Sequence, residues 1–336
     1  MHANRITVSG RQGYLDVLKC LAIVFVVMGH IDGMKIGVDT YDTLWGSIRY
    51  TFQMPLFFFI SGMFASHGIN KGIALHQLIW NKIKTLVWPA LIFFVLCSLA
   101  EGRAIVFPSS GLGYYWFTFT LFECFFIYYI LACLFKGRTL LLNILLAFVS
   151  VAFVGMLALK IDHPNIGFLD LNHLTKYFQY FFLGTLFSLY PVLGDKVLRS
   201  QRIYAFCLVA FCILMYLVYN GVLLGALHSL CRDILVRYLG LFIVFSFFYN
   251  MQDACNKDNS FMRSVRYVGR HSLEIYLLHF FFLPTLMWLE PLRADALFAI
   301  EFPIAIILSL IVIAIVLVLN HILTRSKYIS FLLYGK

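Results

Sequence analysis

Long apolar segments are the feature of this sequence that most limits its fold. The run from Leu310 to Leu319 contains no polar residue, and comparable runs recur along the chain. A helix needs about 20 predominantly apolar residues to cross the hydrocarbon core of a bilayer. Of all residues, 62% are hydrophobic and 12% are charged, whereas a soluble domain is roughly half apolar and a quarter charged. The sequence predicts an all-α integral membrane protein.

Ten segments meet this requirement, and the loops between them are too short to hold a further domain. We therefore predict a single transmembrane domain over residues 1–336 with ten transmembrane helices. The predicted spans are 14–33, 51–68, 83–101, 116–135, 139–160, 177–193, 203–222, 233–251, 272–289 and 299–323.

The distribution of Lys and Arg predicts the orientation in the membrane. If the N-terminus is cytoplasmic, the inner segments carry about twice as many Lys and Arg residues as the outer ones, as the positive-inside rule requires. Ten spans then place both termini in the cytoplasm. The net charge of +10 does not indicate nucleic acid, because the basic residues are dispersed among apolar segments. The eight cysteines include no CxxC pair, so we expect no metal site.

Three polar residues share one face of the first span. Lys19 and His30 are separated by close to three helical turns, or ~16 Å along the axis, and Asp16 lies one turn before Lys19. Asp16 and Lys19 also fit a simple ion pair at the inner interface. A buried ionisable residue in a span is costly, so His30 is a candidate for function, although a lone His is often only a hydrogen-bonded core residue.

Further polar residues lie in later spans. Glu123 is the only acid well inside a predicted span and lies at a depth comparable to that of His30, so the two are candidates for one proton-handling site. Glu123 also fits a protonated carboxyl bonded to an unrelated neighbour. Gln53 lies near the outer end of span two, and Ser61 lies deeper, where a Ser-Gly pair also fits close helix packing. His279 lies about a third of the way into span nine from the cytoplasm.

A group of cations lies at the cytoplasmic edge. Lys82 and Lys84 open span three, and Arg270 precedes span nine. Positive-inside bias alone would place cations here, and Arg270 also stands one turn before Glu274, with which it can pair.

Five motifs, in order from residue 14 to residue 279, resemble those of membrane acyltransferase family three. They are YLDVLK at 14–19 with MGH at 28–30, FFFISGMF at 57–64, KIK at 82–84 with Pro89, WF at 116–117 with Leu121, and YVGR at 267–270 followed by His279. Lys19, Lys82 and Lys84 stand where the family usually has Arg, which keeps the charge but loses bidentate recognition of phosphate.

The resemblance implies acyl transfer, usually of acetyl, from cytoplasmic acyl-CoA to a hydroxyl of a cell-surface or lipid-linked sugar, in the plasma membrane of a bacterium. Acetyl-CoA is then a substrate, and no permanently bound cofactor is expected. Beyond acyl-CoA, the sugar acceptor and membrane lipids, no partner is implied, and the oligomeric state stays open.

Under this hypothesis the candidate residues divide into three roles. His30 is the general base, with Glu123 or Gln53 orienting it, and an acyl-His intermediate is an alternative. The cations bind the phosphates of CoA, and the remaining residues orient the reacting groups or line the site. The cations are Lys19, Lys82, Lys84 and Arg270, and the orienting or lining residues are Asp16, Gln53, Ser61 and His279.

Two other classes fit part of the pattern. A transporter could use His30 and Glu123 as a proton relay, but it would be expected to show inverted repeats and paired broken helices. A non-catalytic scaffold would have little reason to align Asp16, Lys19 and His30.

Overall fold

The computed structural model describes residues 12–32, 43–102, 113–159, 170–284 and 297–335, and these ranges contain helices and no strands. We number the principal helices in chain order. They are α1 (Gly13–Ile31), α2 (Leu44–Asn70), α3 (Leu75–Ala100), α4 (Gly113–Leu134), α5 (Thr139–Ala158), α6 (Leu171–Leu189), α7 (Pro191–Leu198), α8 (Gln201–Tyr219), α9 (Val236–Asn250), α10 (Ser260–Arg270), α11 (Ser272–Phe282), α12 (Leu297–Leu323) and α13 (Lys327–Tyr334).

Seven of the described helices are long and apolar enough to cross a membrane, and eight are if the bent pair α6–α7 counts as one span. The all-α membrane architecture predicted from the sequence is therefore present, while the count of ten and the orientation stay predictions. Helices α2 and α3 begin earlier than predicted, at Leu44 and Leu75. Predicted span 233–251 corresponds to α9, which contains Arg237, with the π-helical turn Cys231–Leu235 before it, which contains Asp233. The described part of predicted span 272–289 corresponds to the short helix α11. Neither passes the same test.

The predicted span 177–193 contains a sharp break. Helix α6 ends at Leu189, and α7 starts at Pro191 with its axis turned by 107°. Proline has no amide hydrogen and so cannot continue the backbone hydrogen bonds of α6. Its fixed φ angle suits the first position of a new helix.

Helix α1 lies at the centre of the bundle and α8 at its edge. In α1, 67% of the span is buried inside the protein, compared with 6% in α8. The polar residues of α1 are therefore surrounded by other helices, and most α8 side chains lie on the outside of the bundle.

Helices α2 and α6 pack with their backbones in close approach. A side chain at Gly62 would meet the carbonyl group of Phe181, and one at Gly184 would meet that of Phe59. Small residues allow this approach in a bilayer, where dispersion contacts replace the hydrophobic effect as the source of helix association. Gly62 thus has the packing role that the Ser-Gly pair suggested.

Candidate active site

His30 lies at the end of α1 beside His279, the first residue of the 3-10 turn that ends α11. Their ring centroids are 5.2 Å apart, and the ring of Phe280 lies 4.8 Å from that of His30. His279 is fully buried, whereas His30 is partly exposed. The Nδ1 atom of His279 lies 3.1 Å and 2.8 Å from the carbonyl oxygens of Ile275 and Tyr276. A carbonyl only accepts, so Nδ1 carries the hydrogen.

A buried ion pair supports the end of α1 that carries His30. Arg49 of α2 is 1% exposed, and its Nη2 lies 3.2 Å from Asp32 Oδ2. Its Nη1 donates to the carbonyl oxygen of Phe25 over 3.4 Å, and the guanidinium occupies the space where Gly29 would otherwise carry a Cβ. A cation is favourable there because the helix dipole gives the C-terminal end of a helix a partial negative charge. The sequence pattern did not single out Asp32 or Arg49, because charged residues at a loop edge are common.

At the other end of α1, one buried carboxylate holds two cations. Asp16 Oδ1 lies 2.8 Å from Lys19 Nζ, and Asp16 Oδ2 lies 3.4 Å from Arg270 Nε on α10. The carboxylate is buried, while the side chains of Lys19 and Arg270 are 24% and 43% exposed. Gly269 lies against the carbonyl of Asp16, so α10 can come close enough for Arg270 to reach α1. Two of the four predicted phosphate ligands therefore share one site.

The other two predicted phosphate ligands lie on α3. Lys82 Nζ lies 3.6 Å from the ring centroid of Phe125 on α4, a cation–π contact. Lys84 lies in a π-helical turn, Ile83–Val87, and its carbonyl group packs against Gly335 after α13. Within the described residues, no hydrogen bond or ion pair joins either lysine to Lys19 or Arg270.

Glu123 contacts the start of α6 and not His30. Its Oε1 accepts the backbone N–H of Asp170 over 3.1 Å. Asp170 Oδ2 lies 2.6 Å from His173 Nδ1, and the His173 ring stacks on Trp116 with centroids 4.0 Å apart. In the described part of the chain, Glu123 has no hydrogen bond with His30, and Glu123 Oε2 has no partner.

Asp170 precedes the first residue of α6 and caps that helix. Its Oδ1 accepts the backbone N–H of His173 over 3.2 Å. Burial alone would raise the pKa of Asp170, but the hydrogen bonds and charge of His173 outweigh burial and hold that pKa below its usual range. The carboxylate is therefore ionised at neutral pH.

The remaining lining residues make few polar contacts. Gln53 starts the helical segment Gln53–Met63, and its Oε1 is buried without a hydrogen-bond partner among the described residues. Ser61 is partly buried one residue before Gly62. The described ranges also contain no group of three or more His, Cys, Asp or Glu side chains arranged to hold a metal ion.

The fold and these contacts define a class of protein: a multi-pass helical membrane protein with a histidine pair at one end of its central helix and exposed cations at the other. A family model described as an acyltransferase domain matches residues 12–319. The chain belongs to membrane acyltransferase family three, which confirms the resemblance found in its motifs. It is a membrane acyltransferase. No curated protein and no solved structure matches it significantly.

Proposed function

We propose that the protein transfers an acyl group, most simply acetyl, from cytoplasmic acyl-CoA to a hydroxyl of a cell-surface or lipid-linked sugar. The observation that carries this proposal is the arrangement along α1. Lys19, held with Arg270 by Asp16, lies at one end, and His30, beside His279, lies at the other. A long, thin donor with phosphates at one end and a thioester at the other matches that arrangement.

The donor phosphates would bind at the cytoplasmic end of α1. Lys19 and Arg270 are partly exposed, so their remaining N–H groups are accessible to phosphate oxygens. Lys82 and Lys84 would add positive charge from α3. The pantetheine arm would then follow α1 for ~16 Å towards His30, which is of the order of its extended length.

The chemistry would use His30 as general base on the acceptor hydroxyl. The hydroxyl oxygen attacks the thioester carbonyl carbon as His30 takes its proton, the C–S bond breaks, and the thiolate of CoA receives the proton. In the acyl-His alternative, His30 attacks the thioester first and the hydroxyl attacks the acyl-imidazole. We assign Glu123 to the acceptor side, because it accepts a hydrogen bond from Asp170, whose carboxylate pairs with His173, and His173 stacks on Trp116.

We further propose ten spans with both termini cytoplasmic, in a bacterial plasma membrane. The turns Gly225–Leu230 and Cys231–Leu235 continue directly into α9, which gives a helical stretch long enough to cross. Its charged residues pair with each other: Asp233 lies 2.9 Å from Arg232 and 3.0 Å from Arg237. This pairing lowers the cost of placing them at membrane depth.

The test is an assay of CoA release. The purified protein is incubated in detergent with labelled acetyl-CoA and a panel of glycans, with His30→Ala as the control. Release of CoA that requires an acceptor and is lost in His30→Ala supports the proposal. Uptake of a solute into proteoliposomes without thioester consumption would instead support a transporter, and neither activity would support a scaffold.

A further inference from the structure

The Nε2 atom of His279 is a buried hydrogen-bond acceptor to which the proposed reaction assigns no role. Its side chain is completely buried, yet in the described part of the chain Nε2 has no hydrogen-bond partner. Because Nδ1 donates to the carbonyls of Ile275 and Tyr276, Nε2 must be the acceptor nitrogen. Buried polar atoms nearly always find a partner, so an unpaired one calls for an explanation.

The titratable ring beside His279 is that of His30. Phe280 packs against both imidazoles, with centroids 4.8 Å from His30 and 4.0 Å from His279. The nearby hydroxyl of Tyr276 is already used, because it donates to the carbonyl of Tyr114 over 2.8 Å and accepts the N–H of Phe117 over 3.3 Å. The ring centroids of His30 and His279 are 5.2 Å apart, so a hydrogen bond between them requires the His30 side chain to rotate until one of its nitrogens faces Nε2 of His279.

A histidine that acts as a base needs such an acceptor. Once it takes the substrate proton, it carries two N–H groups, and the one facing away from the substrate must donate to something. A carboxylate does this in Ser-His-Asp triads, where it also fixes the orientation of the imidazole. The sequence offered Glu123 and Gln53 for this role, but among the described residues neither is hydrogen-bonded to His30, and Glu123 accepts from Asp170.

We infer that His279 is the positioning residue of the reaction: its Nε2 accepts the second N–H of protonated His30 while its own Nδ1–H stays bound to the α11 backbone. This inference rests on the proposed function, since it requires His30 to be the base. The hydroxyl proton passes to His30 and then to the thiolate of CoA, and the ester C–O bond forms as the C–S bond breaks. His279 keeps its proton throughout and does not touch substrate.

Two substitutions separate this role from simple packing. His279→Asn keeps an N–H donor near the position of Nδ1 but has nothing at the position of Nε2. His279→Gln loses the donor to the backbone but extends an amide oxygen towards the position of Nε2. We expect His279→Asn to fold, to keep the KM for acyl-CoA and to lose roughly 10²-fold in kcat. We expect His279→Gln to recover part of that loss relative to His279→Ala.

A purely structural His279 would give the opposite order, with His279→Asn active and His279→Gln impaired. The matched control is His271→Asn. The Nδ1 of His271 makes the same kind of contact, 2.9 Å from the carbonyl oxygen of Tyr267, but this ring has no contact with that of His30. The control should keep wild-type kcat and thermal stability.

The outcomes distinguish the inference from the proposed function. Wild-type kcat in His279→Asn, together with an inactive His30→Ala, would overturn the positioning role and leave the proposed function standing. Absence of acceptor-dependent CoA release in the wild-type protein would count against the proposed function itself. If His279→Asn does not fold, a higher kcat in His279→Gln than in His279→Ala supports the inference, and equal values overturn it.

Discussion

At the scale of single residues, the two ends of α1 are held in different ways. At one end, Asp16 binds Lys19 and Arg270 and leaves both cations partly exposed. At the other end, the Arg49 guanidinium packs against Gly29 and pairs with Asp32, next to His30. The first arrangement suits contact with a ligand, because the cations keep free N–H groups. The second suits rigidity, because the ion pair is buried.

His30 is the residue on which turnover should depend most. We expect His30→Ala to fold and bind acyl-CoA but to lose about 10²–10⁴-fold in kcat, and more if His30 also carries the acyl group. His30→Gln should be nearly as inactive, because an amide has no useful basicity. Steady-state kinetics, with circular dichroism as a check on folding, measure this. An active His30→Gln enzyme would remove His30 from the chemistry.

The cations at the Asp16 end should govern donor affinity. We expect Lys19→Ala to raise the KM for acyl-CoA roughly tenfold, which corresponds to about 1.4 kcal/mol of binding free energy. Lys19→Arg keeps the charge and should change the KM only slightly. The double change Lys82→Ala with Lys84→Ala should raise the KM as well. Lys71→Ala, at an exposed lysine, is the control and should bind donor as wild type does. Unchanged donor binding in all three variants with altered cations would place the phosphate site elsewhere.

At the scale of helices, sequence patterns predicted which residues share a face of one helix better than which residues of different helices are in contact. The face shared by Asp16 and Lys19 follows from helical periodicity, and the structure shows that ion pair. The neighbourhood of His30 and His279 depends on how α1 packs against α11, which no local pattern encodes. The partner of Glu123 is a backbone N–H at the start of another helix, and every residue except proline offers one. The bend before α7, in contrast, has a local signal, namely Pro191.

The close contact of α2 with α6 should be sensitive to a single methyl group. At Gly62 a Cβ would meet the backbone of Phe181, which cannot move as a side chain can, so Gly62→Ala should cost about 1–3 kcal/mol of stability. Gly155→Ala in α5 is the matched control, because nothing lies within 4 Å of its Cβ position, and it should be neutral or slightly stabilising. Thermal unfolding in detergent compares the two. Equal melting temperatures would contradict the packing of α2 on α6.

At the scale of the whole molecule, composition and motifs were sufficient for the class and the family. Apolar segments predicted the helical membrane architecture, and the five motifs predicted the acyltransferase family that matches residues 12–319. The number of crossings is harder to derive, because α9 carries charged residues and α11 is short. The charged residues before and in α9 pair with each other, Asp233 with Arg232 and Arg237, whereas Tyr276 of α11 donates to the carbonyl of Tyr114 on another helix, a contact that is not local in the sequence.

The orientation of the whole chain in the membrane can be tested by cysteine labelling. We expect single cysteines at Arg138 to react with a charged thiol reagent from the cytoplasmic side, and at Asp39 and His163, which lie outside the described residues, from the opposite side. A background without the eight native cysteines makes the labelling specific. Reaction of the Asp39 site from the cytoplasm alone would reverse the orientation and move His30 to the cytoplasmic half.

The exposed position of α8 has a consequence for thiol chemistry. Only 6% of this helix is buried inside the protein, and it carries Cys207, partly exposed, and Cys212, exposed. Facing hydrocarbon, these thiols meet reagents that dissolve in lipid and not reagents that carry a charge. Modification by a lipid-soluble maleimide, with protection from a charged one, would therefore mark α8 as the outer wall of the bundle.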